Sequence, residues 1–239
     1  MSEHEIHPSD NERLTRRGSL LRLAGLAAAA GRGAAAWRLD PADAAGAGPK
    51  AVATGLVACV LTPELTEGPY YVPGEKVRRN ITEGRPGLPL LLRTTVVSAS
   101  TCKPVKRAAV DIWHCDAGGV YSGVNGQTGT FLRGIQYTDK NGLALFDTIY
   151  PGWYQGRAVH IHVKVHIGGI VVHTGQLFFP DALTAKVYES APYSSRGAPD
   201  TTDASDSIFR NGGAKGMLSL AKEASGGYIG TITMGVHTA

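Results

Sequence analysis

The chain has 239 residues, of which 43% are apolar, 18% charged and 7% aromatic, with 31 Gly and 13 Pro. The apolar share suffices for a core and excludes global disorder, while the Gly and Pro content excludes a long helical bundle. A formal net charge of +4 with both signs dispersed gives no basic footprint for nucleic acid.

In chain order, residues 1–45 stand apart. A polar stretch leads to Arg16 and Arg17, a Leu-, Ala- and Gly-rich run follows over 20–30, and Ala42-Asp43-Ala44 has the form of a cleavage site. This reads as a twin-arginine-like export signal, which places the protein in the periplasm or outside the cell; a basic tail on a cytoplasmic protein is the alternative. Ser19 and Arg22 depart from the export pattern. Arg22, Arg32 and Arg38 interrupt the run too often for a transmembrane helix, so no stable membrane insertion is expected. The expected organisation is a leader over 1–45, disordered or removed, and a single domain over 46–239. Cys59, Cys102 and Cys115 fit no zinc spacing; in an oxidising compartment they predict one disulfide and one free thiol, with the pair unassigned.

Strands are predicted over 90–98 and 109–114. Two more, over 134–138 and 143–149, flank an Asn141-Gly142 hairpin signal. Over 159–167 the alternation is strict: Ile161, Val163, Val165 and Ile167 face one way, and His160, His162, Lys164 and His166 the other. Further strands are expected over 170–174, 176–179 and 228–234. Brief helices are expected over 181–190 and 216–224. Short strands joined by turns predict an all-β fold, an antiparallel β-sandwich, with long loops over 69–87 and 190–213 as carriers of site residues.

The run Tyr150-Pro-Gly-Trp-Tyr154-Gln-Gly-Arg157-Ala-Val-His160-Ile-His162 carries the most chemistry. Residues i and i+2 of a strand project to one side, so His160 and His162 can reach one ion. On its own such a pair is more often a polar face than a metal site. A phenolate ligand needs a strongly positive ion, because free tyrosine ionises only near pH 10, and hard oxygen donors with imidazoles favour Fe(III).

Four blocks together resemble the intradiol ring-cleavage dioxygenases, the catechol and protocatechuate dioxygenase family. They are Leu61-Thr-Pro-Glu-Leu-Thr-Glu-Gly-Pro-Tyr-Tyr71, Val110-Asp-Ile-Trp-His-Cys-Asp-Ala-Gly-Gly-Val-Tyr121-Ser-Gly123, Phe131-Leu-Arg-Gly-Ile-Gln-Tyr-Thr-Asp139 and the run from Tyr154 to His162. The resemblance implies a β-sandwich holding one mononuclear non-haem Fe(III) on Tyr121, Tyr154, His160 and His162. It implies an active-site arginine at Arg157, a supporting glutamine at Gln176 and a substrate loop at Gly68, Pro69 and Tyr70. The implied reaction cleaves a catechol-type ring between its two hydroxyl-bearing carbons with O2, giving a muconate-type diacid. In that reaction Tyr154 is the ligand displaced by substrate.

The stretch between Tyr154 and His160 is shorter than in the soluble catechol enzymes, so one pocket wall is expected to differ. The helical N-terminal dimerisation segment of those enzymes has no counterpart here, and with the export-like leader the chain resembles the secreted branch of the family. Expected partners are a small catecholic molecule and O2; a homo-oligomer is admitted.

Two other readings stay open. One is a zinc or copper hydrolase built on His160 and His162, and the other a non-catalytic β-sandwich binding module. Among the remaining residues, His114, His166 and His173 read as satisfied or surface histidines, and Trp113 and Trp153 as packing. Arg133 reads as a loop anchor, and Lys76, Arg78 and Arg79 as a solvated basic face.

Overall fold

A computed structural model describes residues 61–238. The export-signal reading over 1–45 and Cys59 lie outside them. Eight strands form two four-stranded sheets. The first, in the order β4-β1-β8-β7, is made by β1 (Pro89–Ser98), β4 (Leu143–Ile149), β7 (Ser219–Lys222) and β8 (Tyr228–Val236). The second, in the order β3-β2-β5-β6, is made by β2 (Ala109–Trp113), β3 (Arg133–Tyr137), β5 (His160–Ile167) and β6 (Ile170–Phe178). Two short helices, α1 (Asp181–Val187) and α2 (Ser207–Arg210), follow β6. Among the described residues no helix is long and apolar enough to cross a membrane.

The sandwich forms because alternate residues of both sheets are apolar and meet in one core. Leu90, Leu92, Phe146, Ile232 and Met234 come from the first sheet, and Val110, Ile112, Ile161, Val163, Val165 and Leu177 from the second. Each such side chain contributes about 1.5–3 kcal/mol on leaving water. The expected hairpin between β3 and β4 does not form: β3 pairs with β2 and β4 with β1, so the Asn141-Gly142 turn carries the chain from one sheet to the other. That turn is shaped by Asp139, whose Oδ1 accepts from Asn141 N (2.8 Å) and Leu143 N (2.9 Å).

The structure departs from the sequence expectations in four further places. Pairing is antiparallel except between β1 and β8, which run parallel from Leu90↔Tyr228 to Ser98↔Val236. The strands expected over 170–174 and 176–179 are one strand, β6. Residues 216–224 are not a helix: Ser219–Lys222 is an edge strand paired antiparallel to β8 around a tight turn. Weak helical composition loses there to a sheet edge that supplies ready backbone partners. Arg78 is not a free cation on the solvated face where Lys76 and Arg79 do lie exposed. Arg78 Nη2 donates to the carbonyls of Thr130 (2.6 Å) and Arg133 (2.8 Å), and Arg79 pairs with Asp147 at 2.9 Å.

Of the two described cysteines, Cys102 is disulfide-bonded and Cys115 is a buried free thiol. This agrees with one disulfide and one free thiol.

Loops join this frame on the face of the second sheet that points away from the core. They cover β5 so fully that its polar side is buried along with its apolar one: His160, His162 and Lys164 are as hidden as Ile161 and Val163. An antiparallel sheet ordinarily keeps one face wet; here only the far end of that face, at Tyr137 and His166, reaches solvent.

Ile161 stands between the two histidines and points into the opposite, apolar core. Ile161→Ala is expected to lower unfolding free energy by about 2–5 kcal/mol, measured by urea denaturation.

Candidate metal centre

The site begins as a row across the second sheet. Strand register sets Arg133 opposite Trp113, Trp113 opposite His162, and His162 opposite Gln176, one residue from each of β3, β2, β5 and β6. Trp113 and His162 stack face to face, with centroids 4.9 Å apart and planes 2° from parallel. Trp113 therefore sets the plane of the His162 ring, a role beyond the general packing expected of it. The fourth side of that ring is closed by Gly68, whose φ is +74° and where a Cβ would stand 3.1 Å from His162 Cε1.

His160 lies one row along. Its Nδ1 donates to the Ala158 carbonyl at 2.6 Å, which leaves the Nε2 lone pair facing inward. That Nε2 is 3.0 Å from His162 Nε2 and 3.1 Å from Tyr154 Oη. Burial lowers the pKa of both imidazoles, of His160 to about 3 and of His162 well below its usual value, with positive Arg157 adding to the effect. Both rings are neutral at pH 7, the form in which imidazole binds a metal.

The two tyrosines arrive on adjacent loops. Asp116 Oδ1 accepts from Gly118 N (2.9 Å) and Val120 N (3.0 Å), shaping the turn that delivers Tyr121. Arg133 is buried and donates to the Ser122 carbonyl at 2.7 Å, fixing the residue after Tyr121. The loop carrying Tyr154 is tied to the first through Gly152, whose N–H donates to the Asp116 carbonyl at 3.1 Å. A Cβ at Gly152 would collide with that same oxygen, so only glycine permits the approach. Cys115 closes the seam, its Sγ donating to the Gly152 carbonyl at 3.3 Å; burial pushes its pKa up to about 12 and leaves it inert.

Tyr121 and Tyr154 have ring centroids 5.6 Å apart, and Tyr121 lies 6.1 Å from His162. Tyr121 Oη is buried without a hydrogen-bond partner, although the nearby Tyr154 phenol helps to raise its pKa. Burial is the main cause for both phenols, pushing Tyr154 up to about 12 against the opposing pull of Arg157. A buried phenol (Tyr121), a half-buried one (Tyr154) and two buried neutral imidazoles thus converge, with Tyr121 Oη and His162 Nδ1 left unpaired. An orphaned buried phenol is costly, and a cation able to ionise the phenols would engage Tyr121 Oη together with the inward-facing Nε2 atoms of the two histidines. Among the described residues no group of three His, Cys, Asp or Glu is arranged to hold a metal, so a metal here must use the tyrosines.

Arg157 follows Tyr154 in a tight turn, and its three nitrogens have separate acceptors. Nη1 donates to Tyr154 Oη (3.2 Å), Nη2 to Gln176 Oε1 (2.5 Å) and Nε to Asp206 Oδ2 (2.9 Å). Gln176 is oriented in turn, because its Nε2 donates to the Thr66 carbonyl at 2.9 Å. Asp206 is the participant that the sequence reading missed. Its one local signal is a helix-capping position just before Ser207, and its link to Arg157 spans 49 residues.

A cavity of about 210 Å³ opens beside the tyrosines, lined by Tyr70, Val120, Tyr121, Val124, Asn125 and Tyr154 among others. Tyr70 stacks on Tyr121, with centroids 4.5 Å apart. Of the expected substrate loop, Tyr70 lines this cavity. Gly68 packs behind His162 instead, and Arg157 lies behind Tyr154 rather than in the cavity wall. Larger cavities of about 350 and 550 Å³ lie elsewhere and touch none of the four converging residues. The remaining expectations resolve simply. His114 is buried and satisfied by the Cys115 carbonyl and Thr148, and Trp153 lies beneath Arg196.

The family model described as Dioxygenase matches residues 66–194, more than half of the chain. The intradiol ring-cleavage dioxygenase of Tetranychus urticae is 33% identical with a TM-score of 0.71, covering 75% of this chain and 95% of that one. The dioxygenase domain of a dioxygenase carbohydrate-binding protein fusion from Streptomyces sp. SirexAA-E is 32% identical with a TM-score of 0.59, covering 75% and 99%. Chlorocatechol 1,2-dioxygenase of Pseudomonas putida is 28% identical over 135 residues, 47% of this chain and 52% of that protein. The chain thus spans about half the length of the curated relatives it matches.

His114 makes the pH dependence of stability testable without touching the four converging residues. Burial lowers its pKa from 6.5 to about 4. On acidification the unfolded chain binds this proton before the folded one does, so stability is lost as pH falls from about 6.5 through 4. The loss is on the order of 3 kcal/mol for this residue. Urea midpoints of the metal-free protein should fall across that window, and His114→Gln should flatten the slope.

Proposed function

Because the chain belongs to the intradiol ring-cleavage dioxygenase family, we propose that it holds one non-haem Fe(III) on Tyr121, Tyr154, His160 and His162 and cleaves catecholic rings with O2. The carbon–carbon bond between the two hydroxyl-bearing carbons breaks, both oxygen atoms enter the product, and a muconate-type diacid results. One observation carries this reading. The Nε2 atoms of His160 and His162 and Tyr154 Oη lie within 3.0–3.1 Å along one chain of contacts, with the unpaired phenol of Tyr121 beside them. When bound, a ferric ion neutralises the phenolates and makes a catechol reactive toward O2.

The residues of the chain divide the remaining work. Tyr154, if ionised by the bound metal, is the phenolate best placed to take a proton from the entering catechol, since it lies at the cavity wall with Arg157 Nη1 on its oxygen. Tyr121 is held more firmly, because Arg133 fixes the next residue and Tyr70 stacks on its ring. His160 and His162 keep fixed ring planes through the Ala158 carbonyl and Trp113. Arg157 supplies preorganised N–H donors toward negative charge building on the ring. Lysine would keep the charge but lose the planar fork that spans three acceptors.

The competing readings have less support. A zinc or copper hydrolase needs a third His, Cys or acidic ligand, and the described residues offer no such group. A binding module would present an exposed aromatic strip, whereas Tyr121, His160 and His162 are buried.

The iron-loaded protein is expected to be red-burgundy from tyrosinate-to-iron charge transfer; a colourless iron-replete sample overturns the ligand set. Arg157→Lys should keep its iron and lose turnover by about 10²–10³-fold, followed by muconate absorbance. Tyr154→Phe should also keep iron but shift the visible band, and an unchanged spectrum would place the displaced ligand elsewhere.

A further inference from the structure

The guanidinium of Arg157 is held on three sides, and the three acceptors differ in kind. Tyr154 Oη is the atom that the proposed reaction protonates and moves. Gln176 is a neutral amide. Asp206 alone among the three keeps a full negative charge throughout, because it takes no part in proton transfer.

Asp206 is itself immobilised. It is 1% exposed, and four N–H donors converge on its two oxygens. Oδ2 accepts from Arg157 Nε (2.9 Å) and from Ala158 N (2.8 Å), while Oδ1 accepts from Ile208 N (2.7 Å) and Phe209 N (3.1 Å) at the start of α2. Burial alone would raise the pKa of this carboxyl. The Ala158 hydrogen bond, the Arg157 charge and the Phe209 hydrogen bond together hold it below the usual carboxylate range, so it is ionised at neutral pH.

From this geometry, and resting on the dioxygenase reading above, we propose that Asp206 is a positioning residue. It pins the Nε edge of Arg157 so that Nη1, once released by Tyr154, stays aimed at the reacting ring. Gln176 holds the Nη2 edge and is fixed by the Thr66 carbonyl. With two edges anchored to rigid backbone, the third is the working edge. Without Asp206 the guanidinium can follow Tyr154 as it leaves, and the donor is no longer where negative charge develops. A misplacement of about 1 Å can cost on the order of 10²-fold in rate.

The bland alternative is that Asp206 only caps α2 and staples its loop. Asp206→Ser separates the two roles, because serine is a strong helix cap but too short to reach the guanidinium as the carboxylate does. Iron-loaded wild type, D206S, R157K and the double variant are compared by steady-state kinetics, iron content, thermal melting and visible titration with catechol. D206S is expected to keep its iron, a single melting transition and catechol affinity within about threefold. Its kcat should fall about 10- to 100-fold, with KM changed far less. In the R157K background the same substitution should cost less than about twofold, because the group it positions is gone.

Wild-type kcat in D206S, or a full multiplicative loss in the R157K background, would overturn the proposal. Where D206S does not fold, D206N keeps volume and a capping oxygen and carries the same expectations, with wild-type kcat again decisive against the role. An iron-loaded wild-type protein that turns over no catechol is a separate outcome. It defeats the underlying reading, and this inference with it.

Discussion

Desolvation at one spot governs the arrangement of everything around it. One buried phenol, one half-buried phenol and two buried imidazoles are brought together, and desolvation drives all four toward their neutral forms. A neutral phenol is a poor ligand and an orphaned one is a liability, so keeping these four together requires dry, rigid surroundings, and the proposed ferric ion would ionise the phenols they hold. That requirement explains why loops cover the polar face of β5, why a tryptophan lies flat against one imidazole, and why a buried arginine fixes the residue next to Tyr121. Each feature keeps water out or holds a donor atom still. The sandwich core on the other side of the sheet supplies the rigid floor.

The relation between β5 and its two neighbours shows how sheet geometry becomes chemistry. Register alone places Trp113 and Gln176 on either side of His162, from strands far apart in sequence. A shift of one residue in either pairing would exchange these side chains for core residues and dismantle the site along with the fold. Site and scaffold are therefore specified by the same hydrogen bonds.

Much of this was legible in the sequence, and the exceptions share a cause. The strict alternation over 159–167 gave both faces of β5, and the Asn141-Gly142 pair gave the turn before β4, because these signals are local; that this turn joins two different sheets instead of closing a hairpin was not legible. The resemblance supplied the quartet, and the structure brings those residues together. What stayed hidden depended on contacts between distant segments. Nothing in the polar stretch before Ser207 marks Asp206 as a partner of Arg157. The flat stacking of Trp113 on His162 needs the register to be known, and residues 219–222 become a strand because β8 lies beside them. Likewise Arg78 looks like a surface cation until the carbonyls of Thr130 and Arg133 are brought to it by folding.

The parallel pairing of β1 with β8 has a consequence for how the molecule is made. These strands occupy the middle of their sheet, yet they are separated by more than a hundred residues of chain. During synthesis β1 leaves the ribosome early and finds β4 on one side, while its other edge has no native neighbour until β8 emerges. Such long-range closure is slow and leaves an open strand edge in the interval. The sandwich is therefore completed only once β8 has been made, which makes the nascent chain, rather than the finished protein, the stage most exposed to mispairing.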